Sequence, residues 1–266
     1  MTKRMIYQVY VGKPSVLYDT CVASVARYCD RHDITHIIQR EPVLRICPNP
    51  QRSGRSTEAI ARLGYLPIFE KENAFAYVDQ YDQIAIVDSD IFVREQAPDI
   101  FEQLQPDRAM GVVAERDLPC TKKHLGKITK YSKSAFGPLT DVDWRWNDHG
   151  AEFYNMGMIV LNTKLFAPFL NGQTPAEFLS RTEFQDFIDG VGYFKWSTDQ
   201  MLLNWWIKHT HMPVQNMSWH WNALYKAIRD DQLPQAHFVH FFLKDLLPDR
   251  GENIAQLMAD IGVKIA

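Results

Sequence analysis

Three stretches near the N-terminus limit the fold more than anything else in the chain. Residues 5–11 form a run rich in Ile, Val and Tyr. A run of this kind, closed by turn residues, reads as a buried strand. Gly12-Lys13-Pro14 turns the chain, and Ser15 stands where a helix cap is expected. Leu17, Cys21, Val25 and Tyr28 then recur at helical spacing. Residues 35–38 read as a second strand. Strand, helix, strand at this spacing is a βαβ unit, which implies a parallel sheet with helices on its faces. The expected fold class is therefore α/β, with a mostly parallel central sheet flanked by helices.

The rest of the chain continues the pattern. Strands are expected over 83–87, 109–114, 156–162, 214–219 and 237–242. Helices are expected over 70–81, 175–188, 197–208 and 252–261. Residues 49–56 read as a loop carrying Arg52, Gly54 and Arg55. Residues 115–152 are polar and read as a mobile loop or insertion over the site, with a small irregular subdomain as the alternative. No repeat interrupts the series, so residues 1–266 are read as one domain.

Composition narrows the partners. The net charge of −3 gives no electrostatic reason to expect nucleic acid. The four cysteines form no close pair, which argues against a zinc ribbon or a disulfide framework. A reducing, cytoplasmic setting fits that usage. No stretch approaches the length of a membrane span, so no integral membrane segment is expected. All seven Trp lie in the second half. Trp205 and Trp206 fall in a helix-like run and read as core. Trp144 and Trp146 sit among Asp and Asn, where they read as sugar-contact candidates.

Chemistry concentrates in four places. The first is Ile84-Ala85-Ile86-Val87-Asp88-Ser89-Asp90. A buried strand delivers two carboxylates at its C-terminal end, where parallel sheets bind ligands. Alternation lets Asp88 and Asp90 face one cation with Ser89 between them. Their mutual repulsion is relieved by a hard cation such as manganese or magnesium. A solvated Asp-Ser-Asp turn is the bland alternative. The second is Phe238-Val239-His240-Phe241, where His240 can serve as a metal ligand and His237 is its rival. Lys244 follows in an expected loop, where it could meet a diphosphate leaving group or, as loop lysines usually are, be only solvated. The third is the strand-like run from Tyr154 to Asn162, with Asn155 and Gly157 inside it. The fourth is Ser197-Thr198-Asp199-Gln200 at a helix start, where Asp199 can also be a plain cap.

The order of these signals resembles the GT-A glycosyltransferases, and is most similar to the retaining family-eight group of glycogenin and bacterial galactosyltransferases. Asp88-Ser89-Asp90 matches the group's DxD, Asn155-Met156-Gly157 its Asn-x-Gly, and Asp199-Gln200 its Asp-Gln helix start. His240 matches its late histidine, although His-x-x-Gly-Lys-Pro is not reproduced: Leu243 stands three after His240, and Asp245 follows Lys244. The resemblance implies a nucleotide-sugar donor, UDP-glucose or UDP-galactose, and a carbohydrate acceptor hydroxyl. It implies donor contacts from Tyr10, Val11, Gly12, Lys71, Asp88, Ser89, Asn155 and Lys244. It implies a metal on Asp88, Asp90 and His240, with Asp199 and Gln200 as catalytic residues. The reaction it implies keeps the anomeric configuration, with the acceptor entering under 115–152. Three other readings stay open: an inverting GT-A transferase, a nucleotidyltransferase and a non-catalytic sugar-binding module. The second would show a Gly-rich phosphate loop, of which Gly12-Lys13-Pro14 is a poor version.

Overall fold

The computed structural model describes residues 2–55 and 64–263, without the side chain of Trp196. Ser56, the last residue of the expected 49–56 loop, lies outside that range. In chain order the principal elements are β1 (Arg4–Val9), α1 (Val16–His32), β2 (Thr35–Gln39), β3 (Gln83–Val87), β4 (Ile91–Val93) and β5 (Met110–Ala114). There follow α2 (Lys122–Phe136), β6 (Tyr154–Asn162), α3 (Asp199–His209), β7 (Val214–Asn216), β8 (Ala223–Leu224), β9 (Phe238–His240) and α4 (Ile254–Asp260).

Six strands make the main sheet, in the order β2-β1-β3-β6-β5-β7. The expected βαβ unit is present, with β1 parallel to both β2 and β3. β7 is parallel to β5, while β6 runs antiparallel to both neighbours, β3 and β5. Each face of the sheet has its own core. Ile84 and Ile86 of β3 pack on the side of Trp205 and Trp206, and Ala85 and Val87 on the side of Leu17, Cys21, Val25 and Tyr28. This is the two-residue alternation of a strand covered on both faces.

Two features of the topology build the site. The reversed β6 starts where β3 and β5 end, so Val87 pairs with Met158 and Ala114 with Tyr154. Asn155 and Gly157 therefore reach the carboxyl edge of the sheet. The second feature is a small sheet of order β4-β9-β8. The Asp-Ser-Asp turn carries the chain from β3 into β4, and β4 pairs antiparallel with β9 in a register that sets Ile91 opposite His240. The Phe241 amide then donates to the Asp90 carbonyl at 2.9 Å.

Several expectations need correction. Ser15 holds the N-cap position of α1 without capping it through its side chain. Its hydroxyl donates to Glu252 at 3.0 Å, and the same carboxylate accepts from the Val16 amide at 3.2 Å. The anion at this helix start is thus supplied from far along the chain. The helix expected over 70–81 is a 3-10 helix, Pro67–Tyr77. The one expected over 175–188 is two short helices, Pro175–Leu179 and Gln185–Asp189, because Arg181 leaves the helical conformation at φ −56°, ψ 140°. The segment 115–152 is not a bare loop: it holds the 15-residue α2, which buries Ile128, Ser132, Ala135 and Phe136. The strand expected over 214–219 stops at Asn216, and Trp219–Trp221 is a 3-10 turn.

Candidate functional site

Asp88, Asp90 and His240 each offer one ligand atom, and these atoms all lie within 4.8 Å of one another. His240 Nε2 is 3.2 Å from Asp90 Oδ1 and 3.9 Å from Asp88 Oδ2. Its other ring nitrogen, Nδ1, is 3.0 Å from Asn222 Oδ1. The Asn222 amide nitrogen donates to Asn155 Oδ1 at 2.8 Å, and the Asn155 amide nitrogen donates to Glu115 at 2.8 Å. This relay orients Asn222 with its oxygen toward the imidazole, so Nδ1 carries the proton. Nε2 then faces the carboxylates as a free ligand position. Burial alone would lower the pKa of His240, but Asp90 and then Asp88 outweigh it and raise it. Something positive is required between these groups: a proton on Nε2 or a cation. Asp90 Oδ1 is buried and has no hydrogen-bond partner. Two carboxylates, a neutral imidazole and an unsatisfied buried oxygen make a set that fits a divalent cation.

His237, the rival, is elsewhere. Its ring packs on Trp221 at 4.8 Å and on His220 at 5.5 Å.

A second cluster adjoins the first. Lys71, held on the 3-10 helix, reaches Asp199 Oδ2 at 2.8 Å, Asp88 Oδ1 at 3.2 Å and the Met156 carbonyl at 2.7 Å. Burial opposes the charge on Lys71, yet Asp199 and Asp88 raise its pKa, so the ammonium persists. Asp199 stands at the first turn of α3, whose N-cap Thr198 makes no side-chain cap. Its carboxylate is engaged with Lys71, which goes beyond a cap. Burial raises the Asp88 pKa, and Lys71 and His240 pull against that rise while Asp90 adds to it. Gln200, one residue on, accepts from the Met156 amide at 3.3 Å and donates to Glu115 at 3.4 Å.

The remaining residues expected to contact a donor make local contacts of their own. The Tyr10 hydroxyl accepts from the Ser15 amide at 2.8 Å, and the Arg40 guanidinium lies 4.3 Å over its ring. Tyr10 meets Tyr18 edge to face at 5.4 Å, and the Lys244 ammonium sits 3.7 Å from the centre of the Tyr18 ring. Burial, then Asp90 and Asp88, push the Tyr18 hydroxyl up. Val11 and Ser89 are half-buried, and Gly12 is exposed at φ 116°, a conformation that suits glycine. Trp144 is a core residue, not a surface contact: it is 2% exposed and donates to the Leu139 carbonyl at 2.7 Å. Trp146 remains open to solvent, 45% exposed.

Three residues were missed from sequence. Glu115 follows β5 as Asp88 follows β3, so the same strand-then-carboxylate pattern was there to be read. Burial raises its pKa, against hydrogen bonds from Asn155 and Gln200. Asn222 has no sequence signal. Glu72 is 1% exposed, with both carboxyl oxygens unpartnered. Burial and the charge on Asp199 push its pKa well up, with Lys71 pulling against the rise.

The arrangement can now be set beside known proteins. No protein-family model matches the chain, and no curated protein matches it. Among solved structures, the galactosyltransferase LgtC, in complex with donor and acceptor sugar analogues, aligns with a TM-score of 0.56. The two are 12% identical, and the alignment covers 98% of this chain and 97% of LgtC. An active-site mutant of LgtC aligns at 0.50, with 14% identity over 96% of this chain and 95% of that one. The fold is that of the GT-A glycosyltransferases. Within the GT-A fold, Asp88-Ser89-Asp90 occupies the carboxyl edge where the main sheet hands over to the small one.

Gly157 explains part of the precision. A Cβ there would collide with His240 Cε1 and lie 2.7 Å from Nδ1. Gly157→Ala is expected to displace the imidazole and to weaken the affinity of this set for a divalent cation, tested with manganese, at least about tenfold, the usual cost of disturbing a ligand's support. Calorimetric titration checks this. Unchanged affinity would show that the ring position does not matter to the cation.

Proposed function

We propose that the chain is a metal-dependent glycosyltransferase, moving a hexose from UDP-glucose or UDP-galactose to a carbohydrate hydroxyl with retention. The observation that carries the reading is the meeting of His240 with Asp88 and Asp90, beside the Lys71–Asp199 pair. Asp88, Asp90 and His240 would hold manganese or magnesium. Such an ion, when bound, supplies positive charge that stabilises a leaving diphosphate.

The chain's own residues supply the rest. Lys71 pairs with Asp199 at 2.8 Å and aims it, so its carboxylate can stabilise positive charge growing on the sugar carbon. Gln200 is fixed by Met156 and Glu115 and offers its amide at the same edge. Lys244 is assigned to the diphosphate and Tyr10 to the nucleotide, in keeping with their shared contact with Tyr18. Val11, Gly12 and Ser89 complete the donor side, and Asn155 holds the ligand histidine through Asn222. The acceptor would approach along 115–152. We place the protein in the cytoplasm, in keeping with its four unpaired thiols. Among the described residues, no helix is long and apolar enough to cross a membrane.

An inverting route has one specific support. Glu115 is a buried carboxyl with a raised pKa, a property suited to a general base. The test covers both readings. The purified chain is given each UDP-sugar with manganese or with a chelator, and slow manganese-dependent release of UDP is expected. Anomeric proton couplings of donor and product then report the stereochemistry. No UDP release and no manganese-dependent nucleotide binding would reduce the protein to a sugar-binding module, and an inverted product would recast Asp199 as a possible base, with Glu115 as a second candidate.

A further inference from the structure

The outer face of α2 carries Lys122, Lys123, Lys127, Lys130 and Lys133, and the helix contains no acidic residue. All five lysines are exposed. At 100° per residue they fall within an arc of about 140°, opposite the packed face. Among the described residues none of the five pairs with a carboxylate. This concentration of charge stands out because the whole chain has a net charge of −3. Beside the helix runs a shallow groove of about 490 Å³, lined by Leu125, Gly126 and Thr129 among the lysines, with Asp148 at its edge.

Two half-exposed aromatic residues belong to the same segment of the chain. Tyr131 is 40% exposed and Trp146 is 45% exposed. The turn after Trp146 is fastened to α2, since Thr129 donates to the His149 carbonyl at 3.2 Å. The helix also borders the candidate site. His124 meets Phe242 edge to face at 5.9 Å, and Phe242 lies 5.9 Å from His240.

We propose that the lysine face of α2 docks the protein on an anionic membrane surface. The complementarity is electrostatic: one lysine near such a surface raises partitioning by about fivefold. The apolar face of α2 is packed in the core, so the attraction is between the lysines and anionic headgroups alone, as expected of a surface cluster of about four to eight lysines. The site adjoins α2 through His124 and Phe242, so docking would hold it on the membrane-bound side of the proposed enzyme; this consequence rests on the function proposed above.

The test uses the full chain and is independent of its catalytic activity. Co-sedimentation is measured with vesicles of phosphatidylcholine alone and of phosphatidylcholine mixed with phosphatidylglycerol, at low and high salt. Binding is expected only to the anionic vesicles, and it should be lost in high salt. The double variant K127E/K130E should bind at least about twentyfold more weakly. The matched control K3E/K164E, which makes the same charge change in a different groove, should bind as the parent does. Circular dichroism checks that both variants are folded. Equal losses in both double variants, or no binding to anionic vesicles at low salt, would overturn the proposal. Tighter binding to heparin or DNA than to the vesicles would overturn it too, and would make the face a general polyanion site.

Discussion

Replacing Asp90 with asparagine is expected to lower manganese-dependent donor turnover by about a thousandfold, the upper range for removing one group that stabilises developing charge. Asp90 Oδ1 lies 3.2 Å from His240 Nε2 and is buried without a hydrogen-bond partner. An amide keeps the shape and one oxygen but removes the charge that makes the pocket attractive to a cation. The fold should survive. The Asp90 backbone carbonyl, which accepts from Phe241, is unaffected, and the repulsion with Asp88 is relieved. The midpoint of thermal unfolding should therefore move by less than about 3 °C, or rise. Initial rates across a manganese titration check the first part, and a melting curve the second. Full turnover at saturating manganese would remove Asp90 from the site. A collapse in stability would mean that activity was lost through unfolding.

How much of this was visible in the sequence follows from what periodicity can report. Ile84 to Val87 announced a strand, and the carboxylates behind it announced its carboxyl edge. The run around Gly157 announced another buried strand, yet nothing in it gave its direction. Apolar patterns record burial, and direction is fixed only by which neighbours the strand finds. The pairing of β4 with β9 was equally hidden, since β4 is only three residues long. That pairing is what selects His240 over His237. The helix α2 was obscured by its composition. Ser132 and Ala135 fill two of its buried positions, so the apolar stripe is thin and the lysines dominate. Buried acids escape sequence reading almost entirely. Glu70 is fully buried because the amides of Val43, Leu44 and Arg45 and the side chain of Gln39 all donate to it. Glu72 is buried with its pKa pushed well up by burial and then by Asp199, surroundings that only the fold assembles.

Lys71→Met tests the second cluster and should separate stability from cation affinity. The ammonium sits between Asp199 and Asp88, with side-chain exposures of 12% for Lys71, 10% for Asp199 and 32% for Asp88. Methionine keeps the length of the side chain and removes the charge, which leaves two neighbouring carboxylates unbalanced. Breaking a buried pair in this way costs about 3 kcal/mol, the low end of the usual range, because Asp88 retains access to water. For a chain of this size that lowers the unfolding midpoint by about 6–12 °C. The cation site should respond in the opposite direction. Lys71 holds positive charge 3.2 Å from Asp88 Oδ1, so it competes with any metal for that carboxylate. Without it, manganese should bind more tightly and recover more of the lost midpoint than it adds to the parent protein. Turnover should still fall, since Asp199 loses the contact that orients it. Melting curves with and without manganese, together with calorimetric titration, read out both effects. An unchanged midpoint would mean that the ion pair is not formed in solution, and weaker manganese binding would mean that Lys71 supports the cation site instead of competing with it.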